Sequence, residues 1–300
     1  MMNLSCPSRV AVGEEGGGVV KRRRAAALRR VDRELAKGNL KLAVNLVKQN
    51  ASALRGFSAA KQVPRRVSSV EELKLLNLSV TETSALQSLL DSILFSIQTT
   101  LKSQSSVTSE DNDLYLEDDI VDRKQVMEHE AGHFLVGYLL GVLPKQYKCC
   151  MEDVKQDEVV DASVKFVGFE FLTELEDVVV SEKQLHKVKP GSRANRSKLS
   201  STLLCKFACV IVGGLVAEHL VFGYSKGHHE DVEKLDIVLK WLQFTEDEAH
   251  TVMRWAVLNT LLILRRHGEA RAALVEAMAQ GRSIGNCIDM IETNLNHLDI

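Results

Sequence analysis

Two histidines and the glutamate beside the first of them have the residue types and the spacing that hydrolytic chemistry needs. The run His129-Glu130-Ala131-Gly132-His133 places two imidazoles four residues apart, so on a helix both rings lie on one face. Neutral imidazoles are good zinc ligands, and Glu130 is placed to act on a water at the remaining coordination position. The pattern therefore indicates metal-assisted hydrolysis with Glu130 as the general base.

The element that must position this motif is a helix predicted over residues 119–140. Gly132 costs a helix up to about 1 kcal/mol relative to Ala, and a residue this small is tolerable where another backbone packs close. The competing interpretation is a pair of surface histidines on an ordinary amphipathic helix. Apolar side chains surround the motif at Val126, Met127, Phe134, Leu135, Tyr138 and Leu139.

A third metal ligand is expected downstream, because a catalytic zinc normally takes three protein ligands and keeps one position open. The best candidate region runs from Gly227 to Asp231, where a glycine turn precedes a helix predicted to start near Asp231. Glu218, in the preceding helix, is a further candidate, since other zinc peptidases use a glutamate. The residue types leave four candidates in the region itself: His228, His229, Glu230 and Asp231.

Three blocks of the chain follow one another in an informative order. The first is His129 to His133, followed by Phe134-Leu135-Val136. The second is Gly213-Gly214-Leu215-Val216-Ala217-Glu218-His219-Leu220-Val221-Phe222-Gly223, and the third is Ser225-Lys226-Gly227-His228-His229-Glu230-Asp231. Together they resemble the zinc helix, the glycine-pair helix and the ligand turn of the FtsH-type zinc metallopeptidase family. The resemblance spans about residues 120–265.

This resemblance implies a fold, a site and an activity. The fold is mainly α, a helical peptidase domain over residues 119–300 with a small β-hairpin beside the zinc helix. The site is a Zn2+ ion held by His129, His133 and Asp231, with Glu130 activating water. The activity is that of a zinc-dependent metalloendopeptidase acting on unfolded or damaged proteins. Among plant proteins the chain most resembles ATPase-less FtsH-like chloroplast proteins.

Three features depart from the family pattern. The turn before Asp231 has His228 and His229 where the family has small or polar residues, and either could compete for the metal. Family members usually carry an AAA ATPase, whereas this chain has no Gly-x-x-x-x-Gly-Lys-Ser/Thr, so an ATPase-bearing protease partner is expected to unfold substrates. Residues 145–195 are charged and match the family poorly. The alternative hypothesis is a catalytically inactive FtsH-like scaffold of an organellar protease complex. The sequence does not indicate an oligomeric state.

Charge is distributed unevenly along the 300 residues. Residues 1–66 contain 15 Lys/Arg and 4 Asp/Glu, a net charge of +11, and the remainder contains 23 and 36, a net charge of −13. A basic head before an acidic body is typical of organelle import. We therefore expect residues 1–30 to be a disordered targeting segment for the chloroplast, either stromal or peripheral to the thylakoid, with the mitochondrion as the alternative. A nucleic-acid-binding arm is the rival interpretation of Lys21 to Arg24, and no nucleic-acid partner is expected.

Residues 31–101 are predicted to form a helical N-terminal region. Val31 to Gln49 has a helical pattern interrupted at Gly38, and a second helix begins at Thr81 or Thr83. The second helix carries an apolar stripe that favours the core over a position on a membrane surface. Residues 102–118, rich in Ser and Asp, are predicted to be a flexible linker. The stripe comprises Leu86, Leu89, Leu90, Ile93, Ile97 and Leu101.

The strand signal is confined to Ala162 to Leu172, which predicts one or two short hairpins beside the zinc helix. An edge strand there would hold an extended protein or peptide substrate by backbone pairing, and a purely structural hairpin is the alternative. No transmembrane segment is expected, and Leu203 to Phe222 comes nearest to one. Beyond Asp231 the chain is predicted to be helical, with Thr245 as an N-cap and Gly268 as a helix stop.

Overall fold

The structure, a computed structural model, is mainly α-helical with a small antiparallel sheet of two strands, which confirms the expected fold class. It describes residues 14–62, 70, 80–105, 123–148, 162–171, 199–226 and 229–295. The helices are α1 Glu14–Ala36, α2 Leu40–Gln49, α3 Val80–Ser105, α4 Arg123–Leu139, α5 Ser201–Ile211, α6 Gly213–Phe222, α7 His229–Trp241, α8 Glu246–Arg266, α9 Gly268–Ala279 and α10 Ile284–Asn294. The strands are β1 Pro144–Lys148 and β2 Ser163–Phe166.

Helix α4 lies at the centre of the fold and is buried on nearly all sides. It packs against α5, α6, α8, α9 and both strands. A helix that is buried all round belongs to a core, so the histidine motif is not on the surface of an amphipathic helix. The alternative of two surface histidines is therefore wrong.

The two strands form the expected hairpin beside α4. They pair antiparallel, with Tyr147 opposite Val164, and an irregularity in register lies between Pro144 and Gln146. The ring of Phe166 packs directly on Gly137, where a Cβ would collide with it. Gly137 lies one helical turn beyond His133, so this contact places the sheet close to the histidine motif.

Residues 14–30 are helical, and the expected disorder over residues 1–30 is wrong for this part. Ala27, Leu28 and Val31 of α1 are buried, and α1 packs against α2 and α10. Arg24 is buried too, with its Nε 2.5 Å from Asp289 Oδ1 of α10. Partners from the far end of the chain thus order this segment. Residues 1–13 lie outside the described part.

The remaining N-terminal predictions are largely confirmed. The helix predicted over Val31 to Gln49 is broken at Gly38, which has φ +76° and lies between α1 and α2. In α3, Leu86, Leu90, Ile93 and Ile97 are buried, which confirms the core-facing stripe. Helix α3 extends to Ser105, four residues into the predicted linker over residues 102–118. Most of that linker, residues 106–118, lies outside the described part.

One segment, Ser201–Phe222, is long and apolar enough to cross a membrane by length and composition alone. In the structure it consists of α5 and α6, which meet at Val212, and 83% of its most apolar window is buried within the protein. The core of the fold therefore accounts for its composition.

The caps of the last helices follow from local sequence. Thr245 accepts a hydrogen bond from the Glu248 backbone, and the Glu248 side chain accepts one from the Thr245 backbone, so the predicted N-cap of α8 is a capping box. Helix α8 ends at Arg266 as the basic pair there predicts. Gly268, predicted to stop this helix, is the first residue of α9.

A buried carboxylate connects the N-terminal region to α4. Glu292 of α10 accepts hydrogen bonds from the Gly56 backbone at 2.7 Å, the Arg55 backbone at 3.1 Å and the Tyr138 hydroxyl at 2.7 Å. Burial raises the pKa of Glu292 even though these donors oppose the shift. Three elements distant in sequence therefore depend on one side chain.

We predict that Glu292→Ala lowers the free energy of unfolding by about 2–4 kcal/mol, because it leaves the Gly56 amide and the Tyr138 hydroxyl without their acceptor. Tyr138→Phe, which removes only one of the three donors, is the matched control and should cost about 1 kcal/mol. Denaturant unfolding of both variants measures this. Equal losses for the two variants would show that Glu292 does not organise the junction.

Candidate metal centre

Helix α4 brings the two imidazoles of the motif together. The Nε2 atoms of His129 and His133 are 2.9 Å apart, on the same side of the helix. Both rings are buried. The spacing of four residues thus produces the shared face that the sequence predicts.

Helix α7 supplies a carboxylate to the same point. Asp231 lies in its first turn, where a negative charge is favoured by the helix dipole, and is buried. Its Oδ2 is 2.9 Å from Nε2 of His129 and 3.0 Å from Nε2 of His133. The three residues that the resemblance implies as ligands therefore form a nearly equilateral triangle of donor atoms.

The outer nitrogen of each ring has its own acceptor. His133 Nδ1 is 2.7 Å from the Val210 carbonyl oxygen, and His129 Nδ1 is 2.5 Å from Glu218 Oε1. A carbonyl oxygen only accepts, so Nδ1 of His133 must carry the hydrogen. His129 lowers the pKa of Glu218 despite its burial, so this carboxylate is an acceptor as well. In the neutral rings, both Nε2 atoms consequently present lone pairs.

The lone pairs of the two Nε2 atoms and of Asp231 Oδ2 point at one another. Three acceptors within 3.0 Å of each other repel unless a positive charge, either a proton on one of the rings or a metal ion, lies among them. A tetrahedral ion with bonds of 2.0–2.1 Å separates its ligand atoms by about 3.3 Å, within a few tenths of an ångström of this triangle. The residues present thus fit a small divalent cation.

The charges around the triangle also favour a cation at this point. Burial disfavours a charged imidazole, yet Asp231 and Glu218 outweigh it and raise the pKa of His129 to about 10. Burial likewise opposes ionisation of Asp231, but the two imidazoles hold its pKa far below the usual range. The site therefore attracts a cation, and a metal ion that binds there displaces a proton.

Glu130 lies beside this group without being one of its three corners. Its carboxylate is within 4.8 Å of ligand atoms on both imidazoles. The carboxylate is buried, and among the described residues no donor reaches its Oε2. Burial raises the pKa of Glu130. A buried carboxylate oxygen without a partner next to a cation site is positioned to bind a water molecule.

A close contact between glycines holds α4 against α6. A Cβ on Gly132 would collide with the backbone of Gly213 and lie 2.7 Å from the Ala217 Cβ. A Cβ on Gly214 would collide with the imidazole of His129. Gly132 therefore allows another backbone to pack close to the motif, as the sequence predicts. The glycine pair of α6 forms the surface on which the His129 ring lies.

Glu218 takes a different position from the one expected of a ligand. It contacts the outer nitrogen of His129, and it also accepts hydrogen bonds from the Gln125 side chain and, at 2.9 Å, from the Lys226 backbone. Sequence reasoning missed Gln125 and the Val210 carbonyl. A signal existed for Gln125 alone, since it lies four residues before His129 and thus on the same side of α4.

The remaining candidate ligands are Glu230, His228 and His229. The Glu230 side chain is 85% exposed, with an oxygen 3.5 Å from Lys234 Nζ, so it points away from the triangle. His228 lies outside the described residues, and the same holds for the side chain of His229. Of the five candidates, the structure brings Asp231 to both imidazoles.

The buried group His129, Glu130 and His133 could hold a metal ion. Comparison of the chain with models of protein families, with curated proteins and with solved structures finds no match. What the site does must therefore be argued from its geometry and chemistry.

We predict that Glu218→Gln weakens metal binding about 10–100-fold, because residues that orient metal-bound histidines typically contribute this much. Glu230→Gln, a matched change at an exposed carboxylate, should leave affinity unchanged. Titration of the metal-free protein with Co2+, followed by visible absorption, measures both. A large loss in Glu230→Gln would contradict the assignment of Asp231 as the carboxylate of the site.

Proposed function

We propose that this chain is a zinc-dependent metalloendopeptidase that cleaves unfolded or damaged proteins. The observation that carries the proposal is the convergence of three lone pairs, from His129, His133 and Asp231, beside a Glu130 carboxylate oxygen that no donor among the described residues reaches. Each role that metal-assisted peptide hydrolysis requires has an occupant here.

The donor set favours zinc over other common divalent ions. Two imidazole nitrogens and one carboxylate oxygen match catalytic zinc sites, whereas Mg2+ and Ca2+ prefer oxygen ligands throughout. His129, His133 and Asp231 would hold the ion. When bound, zinc in such a site supplies Lewis-acid catalysis and lowers the pKa of a water toward about 7.

Glu130 would transfer the proton. Its buried carboxylate accepts the proton of the attacking water and then gives it to the nitrogen of the departing amine. The upward shift of its pKa, caused by burial, makes the carboxyl a better proton acceptor and moves it toward neutral pH. Glu218 and the Val210 carbonyl keep the two rings oriented while this occurs.

The hairpin of β1 and β2 supports a preference for extended substrates. The sheet packs on α4 one turn beyond His133, and a substrate strand added to its edge would run beside the metal group. Folded proteins seldom offer a free extended segment, so unfolded chains fit this arrangement. For folded substrates, we propose a partner that carries an ATPase, since the chain has no phosphate-binding loop of its own. The family resemblance supports a chloroplast location, with the mitochondrion as the alternative.

We predict that Glu130→Gln reduces cleavage of a fluorescently labelled, unfolded protein by about 10²–10⁴-fold while the protein still binds zinc, because only the general base is lost. Asp231→Asn should lose zinc as well as activity, and Glu230→Gln should resemble the wild type. Cleavage is followed by fluorescence and zinc content by elemental analysis of the full chain.

The two readouts separate the enzyme from the scaffold. Zinc-loaded wild type that cleaves nothing, either alone or with an ATPase-bearing organellar protease, would favour the inactive scaffold. Cleavage that persists unchanged in Glu130→Gln would rule out the proposed role of this carboxylate.

A further inference from the structure

The outer side of α1 is a continuous row of arginines. One series, Arg22, Arg29 and Arg33, has intervals of seven and four residues, and a second, Arg23 and Arg30, has an interval of seven. All five therefore lie on one side of the helix, away from the buried Leu28 and Val31. All are exposed. We call this surface the basic face of α1, and it consists of Arg22, Arg23, Arg29, Arg30 and Arg33.

The carboxylates described around the basic face leave most of its positive charge unneutralised. Asp32 accepts hydrogen bonds from the Ser283 hydroxyl and the Gly285 backbone. Glu34 accepts hydrogen bonds from Asn39 and Lys37, and these donors, with the nearby charge of Arg33, lower the pKa of Glu34. Asp289 of α10, the neighbouring helix, pairs with the buried Arg24. Within the described part of the chain, none of the five arginines of the face forms an ion pair.

Exposed apolar side chains accompany the row. Val19 is 67% exposed and precedes Arg22 and Arg23 by three and four residues, so it lies on their side of the helix. Val20, which lies toward the buried side of α1, is 44% exposed, and Leu42 of α2 is 48% exposed. Three of the five large hydrophobic residues exposed in the described structure thus belong to α1 and α2, and Val19 is the one that lies among the arginines.

We propose that the basic face of α1, with Val19, docks the protein on a bilayer surface rich in anionic lipids. Several cations beside exposed apolar groups are the combination that such a surface binds, the cations at the headgroups and the apolar groups just below them. The remainder of the chain, residues 67–300, has a net charge of −13 and is repelled by the same surface. Attraction and repulsion together orient the molecule with α1 toward the lipid.

The same residues suit nucleic acid less well. Residues 18–50 contain no aromatic side chain on which a base could stack. A layer of lipid phosphates requires only cations and an apolar side chain among them, and the basic face supplies both.

The experiment is flotation of the full chain with vesicles of phosphatidylcholine alone or mixed with phosphatidylglycerol. We predict binding to the mixed vesicles only, and binding that weakens with added salt. The variant R22Q/R29Q/R33Q should bind about 100-fold more weakly. The matched control K165Q/K240Q/R265Q, which removes three exposed cations elsewhere, should bind like the wild type. Val19→Ser should also reduce binding.

Several results would overturn the proposal. One is equal binding by the two triple variants at an unchanged melting temperature. A second is binding of a single-stranded RNA probe without binding of anionic vesicles. A third is a dimer that requires the arginines and forms equally with and without lipid. The proposal is independent of the peptidase function, so Glu130→Gln should float with the vesicles as the wild type does.

Discussion

The close approach of α4 and α6 is the constraint on which the site depends. Gly132 and Gly213 let the two backbones touch: a Cβ at Gly132 would collide with the Gly213 backbone, and one at Gly213 would lie within 3.0 Å of the Gly132 carbonyl oxygen. At this distance the His129 ring lies on Gly214 and reaches Glu218. A separation only slightly greater would remove the acceptor that fixes which nitrogen of His129 faces inward.

The centre resolves a problem of buried charge. Glu218, Asp231 and Glu130 are all withdrawn from water, which is costly for carboxylates that lack a counter-charge. Two imidazoles facing two of these acids reduce the cost, and a divalent ion would remove more of it. Stability of the centre and affinity for a cation are thus two results of the same arrangement.

Local patterns predicted local features, and long-range partners decided the rest. The histidine pair, the Thr245 cap and the apolar stripe of α3 follow from spacings within a few residues. The order of α1 does not, because Arg24 finds its partner 265 residues away. Strand β1 was not predicted since Pro-Lys-Gln-Tyr-Lys lacks an alternating apolar pattern. Glu218 orients His129 because it contacts the outer nitrogen of that ring, Nδ1, and no spacing in the sequence predicts this contact.

The packing of α1 on α10 has a consequence for the order in which the chain folds. Arg24 and Asp32, near one end, bind Asp289 and Ser283, near the other. During synthesis, α1 leaves the ribosome long before its docking surface exists, whereas α4 and α6 can already meet. Contacts this distant in sequence slow folding. We therefore expect α1 to be among the last helices to pack, and to be exposed to chaperones until α10 has formed.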